Sequence, residues 1–410
     1  MATRVLLSEG SSLSAREAIT ALGLAGHRVD VCDPDPLCLG RFSRFVGRVH
    51  RCPSLGLDPA GYLAFVLELL AVGDHDVLLP IHEQAYLFAK AAASIPRGVA
   101  VALAPAASFD RVQTKPAFCA LLAELALPQP ETRVCRAPAE LLAWLSYPCF
   151  VKTAWGTATT GVVHVSSRAD LVRCAARLDA AGAFADGVVV QAPASGALER
   201  TQAVFCRGEL VAVHGYRQLE QGVGGGDVRK RSVSRPEVRA HVERLGHALA
   251  WHGALSLDYF WDDATATPRY FDANPRLVEP MNGVRSGVNL ADVLVRVSLG
   301  DAPHGVALGR PGVRTHLGIM ALLATARDTS SRCAVALRAL DCVLRRGTCA
   351  GSVEEVTPVL DDAPSAVAFA YVLGSLLASP RSWNRRAART VASYALTPAA
   401  ARFARDLARA

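Results

Sequence analysis

Gly253-Ala254-Leu255-Ser256-Leu257-Asp258-Tyr259-Phe260-Trp261 and, after a turn-prone stretch at 262–268, Arg269-Tyr270-Phe271-Asp272-Ala273-Asn274-Pro275-Arg276-Leu277 decide how this chain is read. Both flanks are rich in aromatic and apolar residues, the composition of paired strands. A hairpin that pairs Trp261 with Arg269 sets Asp258 opposite Asp272. Side chains alternate along a strand, so Asp272, Asn274 and Arg276 fall on one face. Two carboxylates, an amide oxygen and a guanidinium then share a patch, which is costly unless a cation lies between the acids. An all-oxygen ligand set suits Mg²⁺, which keeps some waters and is commonly completed by phosphates. The plain alternative is a solvated hairpin with its charges facing water, and the rest of the chain decides between the two.

Upstream, Ser108-Phe109-Asp110-Arg111-Val112-Gln113-Thr114-Lys115 precedes a helical run at 118–125. Tyr147-Pro148-Cys149-Phe150-Val151-Lys152 reads as a strand ending in a lysine, followed by Thr153-Ala154-Trp155-Gly156-Thr157-Ala158-Thr159-Thr160-Gly161. Small residues let backbone N–H groups approach phosphate oxygens, and hydroxyls add donors. Gly187-Val188-Val189-Val190-Gln191 is an apolar strand running into a polar link that ends at Glu199. A single lysine is ordinarily a surface charge. Two of them, in this order and followed by the acid hairpin, are harder to dismiss.

This ordered set resembles the ATP-grasp superfamily, carboxylate–amine ligase type, over about residues 1–305. The resemblance implies a nucleotide held by Lys115 at the α-phosphate and by Lys152 at the α- and β-phosphates. It implies a loop with Thr157, Thr159 and Thr160 closing over them, adenine read near Gln191, and ribose hydroxyls held by Glu199. Asp258, Asp272 and Asn274 would carry Mg²⁺ or Mn²⁺, with Arg276 and Lys152 catalytic. The chain departs from the usual pattern in using Asp twice where Glu is common and Thr153 where Pro is common. The shorter acid arm moves the charge by about 1.5 Å, one bond length. Gln221-Gly222-Val223-Gly224-Gly225-Gly226-Asp227-Val228-Arg229-Lys230-Arg231 reads as a flexible cationic loop over the cleft, with Arg229 and Arg231 as ligands of a carboxylate substrate or of the transferring phosphoryl group. Glu83, beside His82 at a strand end, and Arg285, in a small-residue turn with Glu279 and Asn282, are further substrate candidates.

The chain has 410 residues, 51% hydrophobic, which excludes disorder. Its net charge of +7 is uneven, with seven Arg against one Asp in residues 380–410. Neither an aromatic-basic nor a helix-turn-helix pattern accompanies these charges, which excludes nucleic acid as a partner. The eleven cysteines show no Cys-x-x-Cys pair and no Cys/His group of zinc spacing. Their odd count, with no secretory leader, points to a reducing cytoplasm. No apolar run reaches the ~20 residues that cross a bilayer. Helical packing on the body, or a homodimer contact, is favoured for the basic tail over an anionic membrane surface.

The expected class is α/β with α+β lobes. Residues 1–107 alternate strands and helices, as in a parallel sheet whose ligands sit at the carboxyl ends of its strands. Four strands are expected, the last at 99–103. Residues 108–190 and 191–310 would be the two lobes, and 311–410 a mostly helical region. The implied activity is ADP-forming. ATP phosphorylates a small-molecule carboxylate, and an amine displaces phosphate to leave an amide. Activation for a thiol, a hydroxyl or bicarbonate is the enzymatic alternative, with biotin carboxylation disfavoured by the lack of a biotin-carrier segment. A non-catalytic ATP-binding protein is the alternative of another class.

Overall fold

Val5, Leu6 and Leu7 are wholly buried, as a strand covered on both faces requires. In the computed structural model, which describes residues 2–156, 161–384 and 395–407, they form β1 (Arg4–Leu7) at the centre of a parallel sheet. Its partners are β2 (Arg28–Asp33), β3 (Val46–Arg51) and β4 (Val77–Leu79), in the order β3-β2-β1-β4. The fourth strand expected at 99–103 reduces to a single bridge, Val77 to Ala100. Beyond it the chain leaves the sheet edge to close on Gly253. Gly253 has φ +105°, and a Cβ there would lie 2.4 Å from the Ala102 carbonyl oxygen. Only glycine tolerates both the conformation and the approach.

The next unit is the antiparallel sheet β5 (Thr132–Cys135), β8 (Val188–Gln191), β6 (Cys149–Thr153) and β7 (Val162–Val165), in that spatial order. Thr114 caps the helix Lys115–Glu124, its hydroxyl accepting from Ala117 N, with Pro116 in the first turn. A hydroxyl cap followed by proline starts a helix sharply, which fixes Lys115 at its mouth.

The largest sheet contains β9 (Ala197–Cys206), β10 (Glu209–Gln221), β11 (Asp227–Val233), β12 (Gly253–Asp262), β13 (Thr267–Asn274), β14 (Ala307–Leu308), β15 (Arg314–His316) and β16 (Val353–Glu354). Its order is β13-β12-β9-β10-β11-β15-β16, with β14 beside β10. Arg207 and Gly208 turn β9 into β10, both at positive φ, the form that matches strand twist. Helix Pro236–Ala248 buries Val238, Val242 and Leu245 on this sheet.

The sheet does not stop at residue 310, because β15 and β16 extend it. The region beyond is otherwise helical: Gly318–Thr329, Arg332–Leu344, Ser365–Ala378 and Pro398–Leu407. The last helix sets Ala400, Ala401 and Ala404 in the same apolar cluster as Tyr62, Val66 and Phe88 of the first unit. No described helix is long and apolar enough to cross a membrane.

Candidate active site

The acid hairpin forms with one correction. Trp261 pairs with Pro268 and Phe260 with Arg269, one residue off the expected register. A bulge between Asp258 and Tyr259 then restores the expected pair, Asp258 opposite Asp272. Tyr270 is the reason. It is fully buried, its N–H donates to Pro128 O at 3.0 Å, and its ring packs 5.5 Å from Tyr259. The extra residue, Phe271, lets Tyr270 stay in the core while Phe271 and Asp272 both face the cleft.

Asp258 and Asp272 lie in a cleft of about 1110 Å³, together with Lys115, Lys152, Gln191, Asn274, Arg276 and Glu83. One oxygen of Asp258 is buried with no hydrogen-bond partner among the described residues. Burial pushes its carboxyl up to about 6, with Arg200 opposing and Asp272 adding to the rise. Lys115 Nζ lies 3.8 Å from Asp272 Oδ1 and donates to Gly156 O at 3.2 Å. Lys152 Nζ donates to Gln191 Oε1 at 2.8 Å and to Phe271 O at 3.4 Å. Burial draws the Lys152 ammonium below its ordinary range, against the pull of Asp272. Gln191 is itself oriented by donating to Thr132 Oγ1 at 2.8 Å.

Arg276 is 7% exposed, yet it makes no ion pair among the described residues. Its Nη2 donates to Asn274 Oδ1 at 3.2 Å and its Nη1 to Leu277 O at 3.3 Å, while Nε has no partner. A buried guanidinium without an acid is costly unless an anion completes it. Glu83 accepts from Gln113 Nε2 at 3.2 Å and does not cap the helix that follows it. Burial raises its carboxyl, with Arg276 and Lys115 opposing. Burial, with Arg276 adding, draws His82 well below its ordinary value and keeps it neutral.

Four expected site residues do not join the cleft. Glu199 is wholly buried and follows the opposite alternation from Arg200 along β9. Its carboxylate is taken by Arg217 at 2.8 Å, Arg235 at 2.7 Å and the Tyr259 hydroxyl at 3.1 Å. It is an internal counter-ion, not a ribose ligand. The expected flexible loop is instead strand β11 after a short turn at Val223–Gly225. Arg231 stands opposite Arg217, away from the cleft, and Arg229 binds Glu220 at 2.7 Å and Thr348 O at 2.8 Å. Arg285 is paired with Asp361. Thr157, Thr159 and Thr160 lie outside the described residues; their neighbours Gly156 and Val162 line the cleft.

No family model matches the chain. The carbamoyl phosphate synthase large chain of Deinococcus radiodurans is 27% identical over 215 residues, 49% of this chain and 21% of that one. The chain therefore spans about a fifth of this curated relative. The biotin carboxylase domain of Hydrogenobacter thermophilus 2-oxoglutarate carboxylase, solved with MgADP and bicarbonate, superposes with TM-score 0.61 and 13% identity. That match covers 77% of this chain and 73% of that one. An L-amino acid ligase from Bacillus licheniformis superposes with TM-score 0.55 and 18% identity, over 73% of this chain and 74% of that one. The chain has the ATP-grasp fold.

Two features of this ATP-grasp cleft were not read from the sequence. Arg200 lies opposite Asp258 in register, with Nε 3.4 Å from Asp258 Oδ2. Its Nη1 reaches both oxygens of Asp227, at 2.6 and 2.7 Å. Strict alternation along β9 would have placed it on the acid face. The second feature is a wall from beyond the resemblance. Ile319, Met320, Leu323, Val367 and Val372 line the far end of the cleft and face Leu39 and Phe42 of the first unit. Apolar helices of no evident partner gave no signal for that role.

Proposed function

We propose that this chain is an ADP-forming ligase that phosphorylates a small-molecule carboxylate with ATP and joins it to an amine. The observation that carries the reading is the pairing of two unsatisfied groups in one cleft. One is the acid pair Asp258–Asp272, with an oxygen that has no hydrogen-bond partner among the described residues; the other is Arg276, with no acid paired to it among those residues. The first calls for a cation and the second for an anion. Asp258, Asp272 and Asn274 are all oxygen donors and fit Mg²⁺, which when bound would neutralise phosphate charge.

The chain's own groups do the rest. Lys115 and Lys152 offset the charge of the nucleotide's phosphates, so that an anionic carboxylate can approach. Arg276 orients that carboxylate and later stabilises the oxyanion formed when the amine attacks. Glu83, whose affinity for protons burial raises, stands at the cleft to take the proton the amine loses. The apolar far wall suits an organic carboxylate with an apolar body, and this favours such a substrate over bicarbonate.

The test is ADP and phosphate release with Mg²⁺-ATP against pooled carboxylates crossed with pooled amines, with mass detection of products. Release that needs both pools, with a condensed mass, supports the ligase. Nucleotide binding with release that bicarbonate alone supports would replace it with a carboxylating reading.

A further inference from the structure

Outside the cleft, the described residues bring together one group of soft ligands: His316, Cys342 and Cys349. They come from three elements. His316 ends β15, Cys342 sits in the last turn of the helix Arg332–Leu344, and Cys349 closes the short turn Gly347–Cys349. All three are buried, at 1%, 5% and 0% exposure. One ligand atom from each lies within 4.8 Å of the others, and the two sulfurs are 3.5 Å apart.

We propose that His316, Cys342 and Cys349 form a zinc site that ties the C-terminal helices to the sheet carrying the acids. Two thiolates and an imidazole are the ligand set that selects zinc over Mg²⁺ or Ca²⁺. In a tetrahedron with Zn–S near 2.3 Å, two sulfurs stand about 3.8 Å apart. The observed separation needs only a small adjustment to match. The surroundings also fit a metal-bound histidine, which normally keeps an oxygen partner on its second nitrogen. His316 has one: Nδ1 is 2.7 Å from Ser352 Oγ, which leaves Nε2, buried and with no hydrogen-bond partner among the described residues, for the metal. Ser352 Oγ in turn donates to Cys349 O at 2.6 Å, so the imidazole and the cysteine turn are already fixed relative to each other. Of the nearby cations, Arg338 and Arg229 are both paired with Glu220, at 2.6 and 2.7 Å, which reduces their opposition to a metal ion, and Arg345 donates to Ser352 O at 2.7 Å. Three protein ligands leave a fourth position for water.

The site has a structural consequence. The helix Arg332–Leu344 shares one apolar cluster with Ile319, Met320 and Leu323 of the cleft wall. A metal at its end holds that wall against β15.

The experiment uses the full chain, purified without a polyhistidine tag. Metal content is measured on the wild type and on Cys349→Ser, with exposed Cys333→Ser as a control. About one equivalent of zinc in the wild type and in Cys333→Ser, lost in Cys349→Ser, is the expected result. Co²⁺ replacement should give a thiolate-to-metal charge-transfer band in the wild type, a readout that does not depend on the variant folding. Thermal unfolding of the wild type should shift down on chelation and recover on adding zinc. A wild type that holds no zinc, shows no such band and unfolds alike with and without chelator would overturn the site. So would a mass showing Cys342 and Cys349 joined as a disulfide in freshly isolated protein.

Discussion

Asp258→Asn is the perturbation most directly fixed by the geometry. The Asp258 carboxyl sits at about 6, against an ordinary 3.8, because it is buried and faces Asp272. A folded-state value above the unfolded one means that the native state holds the proton more tightly. Stability therefore falls as pH rises between these two values, and the penalty is complete above pH 6. A shift of about two units corresponds to roughly 3 kcal/mol. Asparagine keeps the shape and removes the charge. It does not orphan Arg200, which retains both oxygens of Asp227. Without nucleotide or metal, the variant should match the wild type near pH 4. Near pH 8 it should be more stable by up to about 3 kcal/mol. Addition of MgADP should reverse the order, because only the wild type gains a full carboxylate ligand for the cation. Thermal unfolding from pH 4 to 8, with and without MgADP, reads both effects. A variant no more stable than the wild type at pH 8, and equally stabilised by MgADP, would refute the account of Asp258 as a buried acid waiting for a cation.

Three other outcomes are expected. Asp272→Ala should leave the fold intact and cut ATP turnover by at least about a hundredfold, the scale of losing a preorganised charge contact; coupled ADP release measures it, and full activity would sink the assignment. Glu199→Gln should weaken the fold by on the order of 3 kcal/mol, since Arg217 and Arg235 lose a buried partner. Nucleotide affinity by calorimetry should stay unchanged, whereas a ribose ligand would lower it. Val367→Asp places a charge on the apolar wall at a half-exposed position. It should raise KM for the carboxylate about tenfold, the equivalent of one apolar side chain's burial, while KM for ATP holds. Equal changes in both would disprove the wall's role in carboxylate binding.

What could be read without coordinates is what local rules carry. Buried strands such as Val5-Leu6-Leu7 announce themselves by continuous apolar runs. The helical run at 118–125 is legible, three residues short of the start that the Thr114 cap and Pro116 set at Lys115. The sharing of a face by Asp272, Asn274 and Arg276 follows from a period of two, whereas the pairing of Asp258 with Asp272, expected from a register one residue off, holds only through the bulge.

Tertiary structure alone decided the rest, because it depends on which distant groups meet. The bulge at Phe271 exists because Tyr270 has a place in the core, and no strand period records that. Glu199 looked like a cleft acid until Arg217 and Arg235 arrived from β10 and the loop before helix Pro236–Ala248 to claim it. Arg229 and Arg231 changed from cleft ligands to outward residues once residues 227–233 paired as β11 and only alternate side chains could face in. The cleft's far wall and the Cys342–Cys349–His316 group lie in a region whose sequence is merely apolar and helical. His316 is far in sequence from Cys342, so no spacing rule detects the group. It forms only where β15, a helix end and a tight turn converge. Sequence specifies which charges and ligands exist; burial and the meeting of remote elements determine which of them gather in the cleft and which, like Glu199, are taken up as internal counter-ions.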